Sequence, residues 1–99
     1  MILHITTPEN WHAALQQGIY RPASLETEGF IHCCLEQQLL GVVERYFTVP
    51  GTWVVLFIDE QKLDVPLRYE PSPVVPDLFP HIYGPLNPDA VQIIKPLVR

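Results

Sequence analysis

Trp53-Val54-Val55-Leu56-Phe57-Ile58 is an unbroken apolar run, closed by a Pro50-Gly51 turn on one side and by Asp59 on the other. A run of this length without polar alternation describes a central strand buried on both faces, and a fold containing it must supply cover on each side. The flanking segments are consistent with that demand. Ile2-Leu3-His4-Ile5 reads as a short strand. Thr7-Pro8-Glu9 starts a helix: a hydroxyl cap, a proline in the first turn, and an acid near the positive end of the dipole. Trp11, Ala14 and Leu15 recur at helical spacing, and Gly18 is the expected stop.

Ile19-Tyr20-Arg21-Pro22 resumes an extended path, and Phe30-Ile31-His32-Cys33 reads as a strand entered through Gly29. Glu36 to Phe47 is a helix whose Leu39, Leu40, Val43, Tyr46 and Phe47 share a face. Leu67-Arg68-Tyr69-Glu70 is a further strand. From Pro71 to Pro88 six prolines stiffen an irregular path with room for one short strand around His81-Tyr83, and Ala90 to Ile94 is the last strand. This order predicts a single α+β domain over residues 1–99, with a mainly antiparallel, split sheet and two helices.

A 99-residue chain buries roughly 60–65% of the surface exposed when unfolded, enough for one core. With 47% apolar and 17% charged residues it is globular rather than disordered. Its formal charge is −5, and the six Lys and Arg residues form no cluster. That excludes nucleic acid as the main partner, because a backbone grip needs several cations, but leaves open a nucleotide with one or two phosphates. No basic segment leads into an apolar run, and nothing approaches the 18 or so apolar residues of a membrane span, so a cytoplasmic location is expected. Cys33 and Cys34 are adjacent, which disfavours a disulfide between them.

Chemistry-bearing residues concentrate between Ser24 and Cys34, with two further segments around His4 and His81. His4, His32 and His81 each sit in a strand-like apolar setting. One such histidine is ordinarily a buried group satisfied by a backbone carbonyl. Three suggest a shared polar ligand, since every buried imidazole needs partners for its nitrogens. His12, beside Trp11 on the first helix, reads as a solvent-facing residue. Gly29 either permits a positive φ or lets a ligand approach the backbone, with Glu28 aimed into the pocket. Cys33 and Cys34 read as small buried hydrophobes or as a nucleophile activated by a nearby imidazole. Tyr20, Tyr69 and Tyr83 suit stacking on a heterocycle, or the edge of a core. Arg21 and Ser24 could hold a phosphate or ribose oxygen, or simply be a solvated cation and a turn residue. Zinc ligation by His4, His32 and His81 lacks the usual CxxC or HExxH spacing, so no metal is expected. Walker, GxGxxG and nucleophile-elbow motifs are absent from the sequence.

The ordered set His4-Ile5-Thr6, Arg21-Pro22 with Ser24, Thr27-Glu28-Gly29-Phe30-Ile31-His32-Cys33, Arg68-Tyr69-Glu70 and Phe79-Pro80-His81-Ile82-Tyr83-Gly84-Pro85-Leu86 resembles a small bacterial domain-of-unknown-function family, number nine-five-two. The resemblance runs nearly end to end. More remotely, that family is similar to the ADP-ribosyltransferase-like superfamily, whose split sheet cradles NAD. The resemblance implies NAD or a nucleotide as substrate, processed by a transferase or an NAD glycohydrolase. It implies catalytic roles for His4, Glu28, His32 and His81, with Thr6, Arg21, Ser24, Gly29, Phe30, Glu70 and Tyr83 binding substrate. The sequence departs from the superfamily where a late-strand glutamate is common, carrying His81 and Tyr83 there. Glu28 or Glu70 is then the stand-in carboxylate. A non-catalytic nucleotide-binding module and a zinc-dependent hydrolase are the alternative functions.

Overall fold

The computed structural model describes every residue from Met1 to Arg99. In chain order the elements are β1 (Ile2–Thr6), α1 (Pro8–Gln17), α2 (Ser24–Thr27), β2 (Ile31–His32), α3 (Leu39–Tyr46), β3 (Thr52–Ile58), β4 (Leu67–Pro71), β5 (Leu78–Ile82) and β6 (Val91–Val98). They build two antiparallel three-stranded sheets, β1-β3-β6 and β2-β5-β4. The α+β class and the split sheet therefore match the expectation.

The apolar run is the middle strand of the first sheet, and both of its faces are covered. Leu56 and Ile58, with Ile2 from β1, join the main core beside Trp11 and Ala14 of α1. Val55 faces the other way, into a second cluster with Leu3 and Cys34 against which Phe57, Leu39 and Val42 pack. Burying a large aliphatic side chain stabilises the fold by about 1.5–3 kcal/mol, so this two-sided strand is its main support.

α1 forms as its caps dictate. The Thr7 hydroxyl accepts from the Asn10 N–H at 3.1 Å, Pro8 occupies the first turn, and Gly18 at φ 77° closes the helix by donating to the Ala14 carbonyl. Its buried stripe is narrower than the spacing suggested: Trp11 and Ala14 are buried, and Leu15 is exposed. On α3, likewise, Val43 is buried while Leu40 and Tyr46 are exposed.

Other differences have identifiable causes. Ile19 to Pro22 is no strand; it makes one bridge, Tyr20 to Leu86. Ser24–Thr27 forms a third helix of a single turn, so there are three helices rather than two. β2 is only two residues long because the chain meets Pro80: the Cys33 N–H donates to the Pro80 carbonyl at 3.1 Å, and proline has no N–H to return. The proline-rich segment nevertheless contains the five-residue β5, and β6 runs on through Pro96 to Val98. Gly51 and Arg99 exchange both backbone bonds, so by alternation Val54 and Pro96 are a non-bonded pair. The Pro96 nitrogen therefore faces the free edge of β6, where its missing N–H disturbs no ladder bond.

No helix is long and apolar enough to cross a membrane.

Candidate functional site: a cleft with two carboxylate-held imidazoles

The second sheet separates core from chemistry by strict alternation. Ile31 and Ile82 are fully buried partners across β2 and β5, and both join the main core. The next pair along, His32 and His81, therefore points to the opposite face. Their rings lie 5.6 Å apart at 72°. That face opens on a cleft of about 710 Å³, bounded by β1, α3, the residues around β2, and the facing ends of β4 and β5.

Each of these two imidazoles is held by a carboxylate. His32 Nε2 lies 2.7 Å from Glu28 Oε2, an i,i+4 pair that leaves both side chains about half exposed. His81 Nδ1 lies 2.8 Å from Glu70 Oε1, a diagonal cross-strand contact between β4 and β5. A carboxylate only accepts, so the contacted nitrogen carries the proton. His32 Nδ1 and His81 Nε2 make no hydrogen bond and are the nitrogens open to a ligand.

The Tyr83 hydroxyl donates to the same Glu70 oxygen, and Arg68 packs on the Tyr83 ring 5.1 Å from its centroid. The bonds from Tyr83 and then His81 hold the Glu70 carboxyl below the usual range. Accepting nothing and donating to that carboxylate, Tyr83 is pushed up. Phe30 stacks on His81 at 4.0 Å and 17°, fixing the ring from its face. Glu28 and Phe30 reach the cleft from a turn that Gly29 makes possible: at φ 88° it is left-handed, and its N–H donates back to the Ser24 carbonyl. The conformational reading of Gly29 thus accounts for it.

His4 is different. It lines the cleft, but both nitrogens are taken: Nδ1 lies 2.6 Å from the His32 carbonyl and Nε2 2.7 Å from the Tyr20 hydroxyl. The carbonyl can only accept, so Nδ1 carries the proton and Tyr20 donates to Nε2. The Thr6 hydroxyl, 2.9 Å from Tyr20, then donates to the Tyr20 oxygen. Burial lowers the His4 pKa to about 4, only partly offset by its bond to the His32 backbone, and burial pushes the Tyr20 hydroxyl up. His4, expected as a catalytic residue, and Thr6, expected to bind substrate, thus have their side-chain polar atoms engaged in a buried brace joining β1 to β2.

This brace has a consequence for stability. The folded pKa of His4 lies below its ordinary value of 6.5, so the unfolded chain binds the extra proton between pH 6.5 and about 4. The stability from neutral His4 is present above pH 6.5, falls with pH through that window, and amounts to about 3 kcal/mol. Urea titrations from pH 7 to pH 4 should show it, with a shallower fall in His4→Gln. An equal slope in both proteins would remove His4 as the cause.

The remaining candidates divide. Glu28, Phe30, His32 and His81 share the cleft with His4, while Glu70 and Tyr83 act from behind His81. Arg21, Ser24 and Gly29 do not line it: Arg21 is exposed, and Ser24 opens α2. Tyr69 bonds Glu60 away from the cleft. Burial pushes the Cys34 thiol up to about 11 and the Cys33 thiol well above its usual range, so neither is an activated nucleophile. No three His, Cys, Asp or Glu side chains are grouped to hold a metal ion. An apolar wall formed by Val42, Tyr46, Phe47 and Phe79 also lines the cleft. For its α3 side the sequence signal, an apolar helix face, is indistinguishable from a core signal, and Phe79 on β5 carries none.

The profile of the family described as "Protein of unknown function (DUF952)" matches residues 5–94. The chain belongs to this family. The DUF952 match includes at least part of every strand and every residue of the two His–carboxylate pairs. The crystal structure of protein CC0527 from Caulobacter crescentus is similar, with a TM-score of 0.86 and 29% identity, covering 97% of this chain and 84% of that one. A double-methionine variant of the same protein gives a TM-score of 0.86 at 28% identity. Among curated proteins no relative matches.

Proposed function

We propose that this DUF952 protein is a small-molecule enzyme in which His32 and His81 work as a paired acid and base. One observation carries the reading: two imidazoles with rings 5.6 Å apart in one cleft, each oriented by its own carboxylate and each keeping a nitrogen free. Imidazole ordinarily titrates near neutrality, and a carboxylate on its far nitrogen fixes the tautomer and stabilises the cation formed on proton uptake. One ring can then take a proton from a nucleophile while the other gives one to a leaving group.

In its finer form the reading is nucleotide chemistry of the ADP-ribosyltransferase type, with NAD as substrate. Glu28 is the supporting carboxylate, because Glu70 already accepts from two donors. The bond from the ribose carbon to nicotinamide breaks, and the ring leaves as the neutral base. A water oxygen bonds to that carbon, with its proton passing to one imidazole; nicotinamide needs no proton to leave, so the second imidazole acts as acid only for leaving groups that do, as in a neutral nucleoside. Glu28 stabilises the positive charge that develops at the ribose between these events. Water as acceptor makes the reaction a glycohydrolase; another nucleophile makes it a transferase.

The test is incubation with NAD and a panel of nucleosides, followed by chromatography of the released base, for the native protein and for a His32→Asn, His81→Asn double variant. Product from the native protein and not from the variant is expected. Equal turnover by both would overturn the acid–base roles. Saturable binding without product after prolonged incubation would identify a binding module instead.

A further inference from the structure

The cleft wall has a one-sided charge distribution. Among its 16 lining residues Glu28 is the only carboxylate, and none is Lys or Arg. Two arginines adjoin the wall without lining it: Arg45 lies 5.7 Å from the centroid of the ring of Tyr46, itself a lining residue, and Arg68 packs on Tyr83 behind His81. A second observation has the same sign. α3 borders the cleft through Val42, Tyr46 and Phe47, its C-terminal half and the residue just past it, and a helix C-terminus carries partial negative charge. A third is the wall chemistry. Phe30, Tyr46, Phe47 and Phe79 present aromatic rings, whose faces attract cations and stack on planar rings.

Phosphate recognition needs the reverse: guanidinium or ammonium groups, or a helix N-terminus with free N–H donors. From these observations we infer that the cleft takes a planar heterocycle, alone or joined to a sugar, in its neutral or cationic form and without phosphate. This rests on the proposed site for its location and goes beyond it in naming the class of ligand. Nicotinamide joined to ribose is a cationic example of that class; a dinucleotide would have to leave its diphosphate outside the wall. A volume of about 710 Å³ lies within the range of roughly 300–1,000 Å³ that ordinary small-molecule sites occupy.

The experiment compares probes that differ in charge, by calorimetry at pH 8: nicotinamide riboside against its 5′-monophosphate, adenosine against adenosine 5′-monophosphate, and the N-methylnicotinamide cation against nicotinate. The uncharged or cationic member of each pair should bind about fivefold tighter or better, the scale of one charge–charge contact in bulk water. Glu28→Gln should narrow the gap for the two cationic probes. Arg45→Gln should leave the order unchanged. Tighter binding of the phosphorylated members, or no binding by any pair, would overturn the inference. The two proposals can fail separately. Loss of turnover in the double histidine variant beside a preference for phosphate would end only the charge rule. Equal turnover with the expected preference would end only the acid–base roles.

Discussion

His81→Ala should lower turnover by about 10²–10⁴-fold, the usual contribution of a positioned acid or base, while the far-ultraviolet circular dichroism stays unchanged. His81 is the more constrained of the two imidazoles: Glu70 holds its edge and Phe30 covers its face. Its side chain is also much less exposed than that of His32, 13% against 55%. Glu70→Gln should produce a smaller loss, because the imidazole remains but its orienting acceptor is weakened. The two variants are separable by pH profile. Removing His81 should eliminate one limb of the rate profile, and altering Glu70 should displace that limb. Turnover within twofold of the native rate in His81→Ala would end its role as acid or base.

The largest stability effect is expected at Leu56. It is fully buried in the middle of β3, paired across the sheet with His4 on one side and Ile94 on the other. Leu56→Ala removes three carbon atoms from a site that the strands on both sides prevent from collapsing, so it should cost about 2–5 kcal/mol. Small domains have only about 5–15 kcal/mol in total, so the thermal midpoint should fall by roughly 10 °C or more. Leu40→Ala, at an exposed position on α3, is the matched control and should stay within about 0.5 kcal/mol of the native protein. Equal shifts in the two variants would contradict the assignment of the core.

Local signals were legible and non-local ones were not. The Thr7, Pro8 and Gly18 caps lie within one helix, so their meaning does not depend on the rest of the chain. The uninterrupted run of β3 likewise admits few other placements. By contrast, β5 lies in a proline-rich segment that left room only for a short strand around His81-Tyr83, and the strand runs instead over Leu78–Ile82. It forms because Pro80 sits where a missing donor shortens β2 without disturbing the pairing to β4. The convergence of His4, His32 and His81 could be suspected from their matching settings, but the partners of His4 could not. Tyr20 is 16 residues away and the His32 carbonyl 28, and no periodicity encodes either contact. The Glu28–His32 pair is visible as an i,i+4 spacing, whereas Glu70–His81 needs the register of β4 against β5. Arg21 and Ser24 lie outside the cleft lining for the same reason: chemical type suggests what a side chain can do, and only the path of the backbone decides where it does it.

Pro96 has one more effect. Along the outer rim of β6, alternate positions would offer hydrogen to an incoming chain, and the middle one offers none. A second molecule sliding alongside would find its docking row broken next to Ile94 and Val98, the aliphatic side chains that would otherwise reward such stacking. The gap works against edge-to-edge stacking on a flank that leaves greasy groups in water.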